Sequence, residues 1–351
     1  MSSHSSFHPA WLPQRVNIGP WLSHYTVDEL EARTAYEHVV LPICSVGTSS
    51  DELETLGQFL LPPLFSEALD ADLKSSLLAR IEHCFPYLNR TRRRSRIDSR
   101  IECVEVPSLR AAKRPIRPQI LAFSVDPAVE EHGPHLPLAT DRIQSYAVLT
   151  RLADENAGLI IAPPLDYGHL TWGLPRGLSI DATPELLTRY VGGYARALVD
   201  HYQPEALYVV DVHGSPVHRR AIEDGLTAAG VGRWMFRWLH EPLVEFAADR
   251  GDQHAGAVET AVIEAISPDL CDARWWPSRI AELVAGEMSF DMAIELQSDI
   301  ARFIDYAESH PWNGIVGRIE NYPELNGAAL LERMVDVARQ DIDRLLTAHS
   351  S

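Results

Sequence analysis

ALYVVDVHGS, residues 206–215, is a β-rich run that stops at Asp211, His213, Gly214 and Ser215. Directly before it lies PELLTRYVGGYARALVDHY (184–202), whose apolar residues recur at helical spacing. The same alternation extends in both directions. PQILAFSV (118–125) and LIIAPPLDYG (159–168) are short apolar runs that end in polar or Gly- and Pro-rich residues. HAGAVETAVIEAI (254–266) reads as a helix, and ELNGAALLERMVDVARQDIDRLLTAH (324–349) as a long closing helix. Apolar strands alternating with amphipathic helices predict a mostly parallel α/β sheet with helices on both faces. Ligands bind such sheets beyond the carboxyl ends of the strands. The polar clusters after residues 125, 165 and 211 all fall there.

Composition bounds the function. The chain has 351 residues, 46% hydrophobic and 23% charged, which is globular, and a net charge of −18. That acidity argues against a general nucleic-acid binder, which needs cations to displace counterions. With no apolar run long enough to span a bilayer, no membrane partner is expected. MSSHSSFHPAWLPQ does not look like a secretory signal. Cys44, Cys84, Cys103 and Cys271 lie far apart with no CxxC pattern, and read as reduced thiols of a cytoplasmic protein.

Residues 1–112 read as an N-terminal extension, a lid or an oligomer contact, ahead of a main domain at 113–351. The extension holds a buried strand in HVVLPICSV (38–46), then LPPLFSEAL, and helical periodicity in DADLKSSLLARIEHCF (70–85). NRTRRRSRIDSR (89–100) is a basic run, either a solvated connector or an anion-contacting segment.

EEHGPHLPLATD, residues 130–141, concentrates metal-liking side chains. Glu130 and His132 are two apart, so on extended backbone they share a face while Glu131 points away. Gly133 and Pro134 bend the chain, and Asp141 can return to the same place. Carboxylate, imidazole and carboxylate suit Zn²⁺, Mn²⁺ or Fe²⁺. His213 ends a strand in a second cluster, and DQHAGAVETA adds His254 and Glu259 in a third. Each cluster alone is weak, and three at strand-to-helix junctions of one sheet are much less a matter of chance. His169, His218 and His240 take the ordinary structural reading.

These stretches resemble the creatininase (creatinine amidohydrolase) superfamily. EEHGPHLPLATD is similar to its EQHGPHLPL.TD signature, YVVDVHGS to its strand ending in NGHGG or NGHYE, and DQHAGAVETA to D.HAG..ET. NGIVGRIENYPELNGAALLERM resembles its closing GV.G.P..A...G segment, so order and spacing agree over about residues 115–350. The resemblance implies a three-layer α/β/α hydrolase with two divalent metal ions per subunit, often a homo-hexamer. It places one ion on Glu130, Asp141 and His213, and the other on His132 and the shared Asp141. His254 matches the proton-transfer histidine, and Glu259 the glutamate of the ET pair beside the metals.

Creatininase carries a glutamate two residues after the strand-end histidine, where this chain has Ser215. Glu259 or water would then complete the ligand set of the second ion. Asp211 and Val212 replace the usual Asn-Gly, and these departures argue against creatinine as substrate. The expected reaction is metal-assisted hydrolysis of a non-peptide C–N bond in a cyclic amide, formamide or small amide. The alternatives are a peptidase trimming a small modified peptide, and a non-catalytic descendant used for binding or assembly. Ser215, Trp238 and Arg176 are the weaker substrate-contact expectations.

Overall fold

The computed structural model describes residues 38–46, 60–88, 100–106, 117–170, 179–272, 279–310 and 312–347, with isolated positions elsewhere such as His24 to Thr26, Thr48 and Trp275. Arg176, Trp172, Trp276 and most of the basic run after residue 88 lie outside the described residues.

Two parallel sheets form among the described residues. In the first, β1 (His38–Cys44) pairs with β2 (Leu64–Phe65) on one side and β3 (Arg100–Glu105) on the other. Helix α1 (Ala71–Leu88) lies between β2 and β3 in sequence. In the second, β4 (Ile120–Ser124), β5 (Leu159–Ile161), β6 (Ala206–Asp211) and β7 (Trp234–Trp238) run in the order β5-β4-β6-β7. The connecting helices are α2 (Thr140–Glu155), α3 (Pro184–Tyr202) and α4 (Pro216–Ala229). After β7 come α5 (Val244–Ala248), α6 (Ala257–Ile266), three helices α7 (Ile280–Gly286), α8 (Phe290–Gln297) and α9 (Ile300–Ser309), and the closing α10 (Gly327–Thr347).

The expected parallel α/β/α architecture is what the chain adopts. Helices α2, α6 and α10 pack together, and α3 packs on α4, giving two helical layers around the four-stranded sheet. β4 and β6 are buried along their whole length, which explains their unbroken apolar sequences. Helix boundaries follow local chemistry. Thr183 caps α3 through Leu186 N–H, with Pro184 following it, and Ser215 caps α4 in the same way ahead of Pro216. Gly230, at φ 65°, closes α4. The buried Asp341 on α10 takes two hydrogen bonds from Arg237 of β7, at 2.6 and 2.8 Å, fixing the closing helix to the sheet edge.

Among the described residues the largest apolar cluster runs through both sheets. Phe65 stacks on Tyr194 at 4.9 Å, and Tyr190 Oη accepts the Phe65 N–H at 3.0 Å. Tyr167 Oη donates to Pro62 O at 2.7 Å. The first sheet is therefore packed on the second by buried contacts of α3.

The layout also locates the site. From β4 the chain passes through α2 to β5 on one side, whereas β6 connects through α4 to β7 on the other. Between β4 and β6 the connections diverge, the place where open α/β sheets leave a crevice. The loops after these two strands carry residues 130–141 and 213.

Candidate metal centre

The loop after β4 carries Glu130 and His132, and Gly133, at φ +68°, makes the turn that follows. A Cβ there would lie 3.1 Å from both His135 and Ile315. Asp141 sits in the first turn of α2. His213 follows β6 on a turn closed by Gly214, at φ +73°. Asp211 Oδ2 accepts the Gly214 N–H at 3.1 Å, and Asp126 Oδ1 accepts the Val212 N–H at 2.8 Å. The aspartate that departs from the family's usual asparagine thus shapes the turn that presents His213.

The three loops converge. His213 Nδ1 lies 3.1 Å from Glu130 Oε2 and 3.5 Å from Asp141 Oδ2, and His132 Nε2 lies 3.4 Å from Asp141 Oδ1. Glu130, His132 and Asp141 offer ligand atoms all within 4.8 Å of one another, and so do His132, His254 and Glu259. Glu130 and His132 are fully buried, and Asp141, His254 and Glu259 nearly so. The imidazoles of His132 and His254 are 4.4 Å apart.

Second contacts set the orientation of each ring. His132 Nδ1 bonds to Glu130 O at 3.0 Å, leaving Nε2 to face the carboxylates. His213 Nε2 bonds to His169 O at 3.0 Å, leaving Nδ1 inward. His254 Nε2 bonds to Glu131 O at 2.8 Å. Metal-binding histidines are held in this way, by an outward N–H on a carbonyl. Glu259, in the first turn of α6, accepts the Ala255 N–H at 2.5 Å, across a residue held at φ +54°.

A divalent cation fits these residues. Both oxygens of Glu130 and Nε2 of His132 are buried without a hydrogen-bond partner, and a buried carboxylate left so is costly. The electrostatics point the same way. Burial opposes charge on His132, yet Asp141, Glu259 and Glu130 outweigh it and push the imidazole up to about 10. His213 is raised well above its usual value against the same burial, by Glu130 and Asp141. Burial and the nearby His132 oppose charge on His254, but Glu131, Glu130 and Glu259 prevail and raise it. The cluster is a field that attracts positive charge.

Other expected residues fall differently. Ser215 Oγ accepts the His218 N–H at 3.4 Å as a helix cap. Trp238 donates its indole N–H to Val212 O at 3.0 Å and covers Gly214, supporting the His213 turn. Glu131 points away from the Glu130 pair as expected, but into the protein, with Oε1 3.8 Å from His254 Nε2. His218 is buried against Val125 O, and His240 bonds Gln144 Oε1 at 2.8 Å. His169 is paired with Asp181, a partner that spacing alone could not reveal. A cavity of about 790 Å³ lined by Glu67, Asp70, Arg189 and Arg196 contains none of the clustered residues.

Comparison with known proteins gives the class. The creatininase family profile, described as creatinine amidohydrolase, matches residues 119–342, well over half the chain. The chain belongs to the creatininase family, whose members are hydrolases acting on C–N bonds. Two curated relatives, each named mycofactocin precursor peptide peptidase, come from Mycolicibacterium smegmatis and Mycobacterium ulcerans. They are 31% and 32% identical over 40% and 41% of this chain. The chain spans little more than half of those relatives, 56% and 57% of their lengths. A solved structure from Bacteroides fragilis, assigned as a creatinine amidohydrolase, shares the fold. Its TM-score is 0.50 at 18% identity, over 65% of this chain and 90% of that one. Among the described residues no helix is long and apolar enough to cross a membrane.

Proposed function

We propose that this chain is a metal-dependent hydrolase of an amide-type C–N bond. The observation that carries the reading is the convergence of Glu130, His132, Asp141 and His213 with buried, unpartnered ligand atoms. Glu130, Asp141 and His213 would hold one divalent ion, Zn²⁺, Mn²⁺ or Fe²⁺. His132 and Asp141 would hold a second, with Glu259 in the place left by Ser215. Such ions, when bound, would supply an acidified water near neutrality and Lewis-acid polarisation of a carbonyl.

The chain's own residues do the rest. Asp141, facing both His132 and His213, sets the spacing between the two ligand groups. His254, fixed by Glu131 O and raised above its usual value by the surrounding carboxylates, would pass a proton to the departing nitrogen. The burial of the cluster excludes bulk water from the polar groups.

Two substrate classes follow, a small non-peptide amide and a short modified peptide. The two curated relatives named as peptide peptidases favour the second. The test is to strip metal with a chelator, restore Zn²⁺, Mn²⁺ or Fe²⁺, and assay small cyclic amides, formamides and short peptides. Hydrolysis that disappears and returns supports the proposal. Hydrolysis indifferent to both treatments contradicts it. Residues 1–112 would serve this hydrolase as a lid or an oligomer contact.

A further inference from the structure

We propose that Arg80, on helix α1 and outside the family match, is a positioning residue for the metal centre, acting through Asp181 and His169 on His213. The inference rests on the metal-binding reading above.

His213 Nε2 donates to the main-chain carbonyl of His169 at 3.0 Å. That bond keeps the proton on Nε2 and turns the Nδ1 lone pair toward Glu130 and Asp141. A carbonyl orients an imidazole only as firmly as its own loop is held. The segment 168–170 is pinned to Asp181 and its neighbour at three points. Asp181 Oδ1 accepts from His169 Nδ1 at 3.1 Å and from Leu170 N–H at 2.9 Å. Ala182 N–H donates to Gly168 O at 2.8 Å.

Asp181 is buried and is gripped in turn from α1. Arg80 Nε donates to Asp181 O at 2.9 Å, and Arg80 Nη2 pairs with Asp181 Oδ2. One guanidinium thus fixes both the main chain and the carboxylate of the residue that fixes the loop. The series runs guanidinium, carboxylate, imidazole, carbonyl and finally the inward-facing His213. Planar two-point contact of this kind orients as well as attracts. A purely adhesive role, tying α1 to the main sheet, would leave the ligand geometry unchanged when Arg80 is removed.

The experiment titrates the full-length chain with Zn²⁺ alone against a chromophoric chelator, with circular dichroism as the control for folding. Arg80→Ala, Arg80→Lys, Asp181→Asn and the Arg80→Ala/Asp181→Asn double variant are compared with the parent. Arg80→Ala and Asp181→Asn are each expected to weaken Zn²⁺ binding about tenfold or more, the usual effect of removing an outer partner. The double variant should be no weaker than the worse single variant, because the two act in series. Arg80→Lys should recover part of the loss, and with Asp181→Asn it carries the test if Arg80→Ala does not fold. Folded variants binding Zn²⁺ within about twofold of the parent, or losses that multiply in the double variant, would overturn the proposal. A parent chain that takes up no Zn²⁺ would instead overturn the metal reading, and this inference with it.

Discussion

His213 Nδ1 lies 3.1 Å from Glu130 Oε2, joining the turn after β6 to the loop after β4. The approach leaves Glu130 Oε2 without an aligned hydrogen bond, so the two groups share a place that a cation can fill. Glu130→Gln keeps the shape and removes the charge. It should weaken Zn²⁺ binding by more than the about 10–100-fold typical of an outer partner. Chelator competition measures this, and an unchanged affinity would remove Glu130 from the ligand set.

Metal uptake should release protons. His132 is pushed up to about 10, because nearby carboxylates outweigh its burial. The sign follows directly: below that value the imidazole holds a proton that an incoming cation must displace. Zn²⁺ affinity should therefore climb between about pH 6 and about pH 8. Calorimetry in buffers of different ionisation heat reads the released protons. A flat affinity with no proton release would contradict the expectation.

Gly214→Ala should damage the turn that presents His213. Its φ of +73° disfavours a side chain, and a Cβ would sit 2.4 Å from the Trp238 indole nitrogen. The backbone contribution is about 1–2 kcal/mol, and overpacking adds about 1–3 kcal/mol. Denaturant unfolding gives the loss. In a Trp238→Ala background Gly214→Ala should cost only the backbone part, and a thermodynamically silent Gly214→Ala would show the turn to be pliable.

Burial pushes the Asp252 carboxyl up to about 7, despite a 2.7 Å hydrogen bond from Val258 N–H. An unfolded aspartate titrates at 3.8, so between 3.8 and about 7 only the unfolded chain is ionised. Stability then falls as pH rises through that window and levels off above it. Asp252→Asn should match the parent near pH 4 and exceed it by up to a few kcal/mol near pH 8. Equal stability of the two at both pH values would contradict this origin.

Much of the architecture was legible because β4 and β6 are buried on both faces and read as unbroken apolar runs. The edge strand β7 was not. Trp234–Trp238 carries Arg237 at its middle and is only partly buried, so its sequence resembles an aromatic cluster more than a strand. Helices α7 to α9 also escaped reading, since their short apolar stretches pack into separate small clusters. At the site, Glu130, His132, Asp141, His213, His254 and Glu259 stood out by type and spacing, and the fold brings them together. Asp126, Asp181 and Arg80 did not. Their importance depends on pairings between distant segments, such as Arg80 with Asp181, that no local pattern encodes. Ser215 also caps α4, a role that a serine before proline suits and that the strand-end motif did not single out.

The most direct test is the metal content of the chain purified without added metal, measured by elemental mass spectrometry beside His132→Ala. Two divalent ions per chain are predicted for the parent, falling to one in a variant that keeps its fold. A parent chain with no bound ion, or a His132→Ala variant with an undiminished complement, would contradict the account.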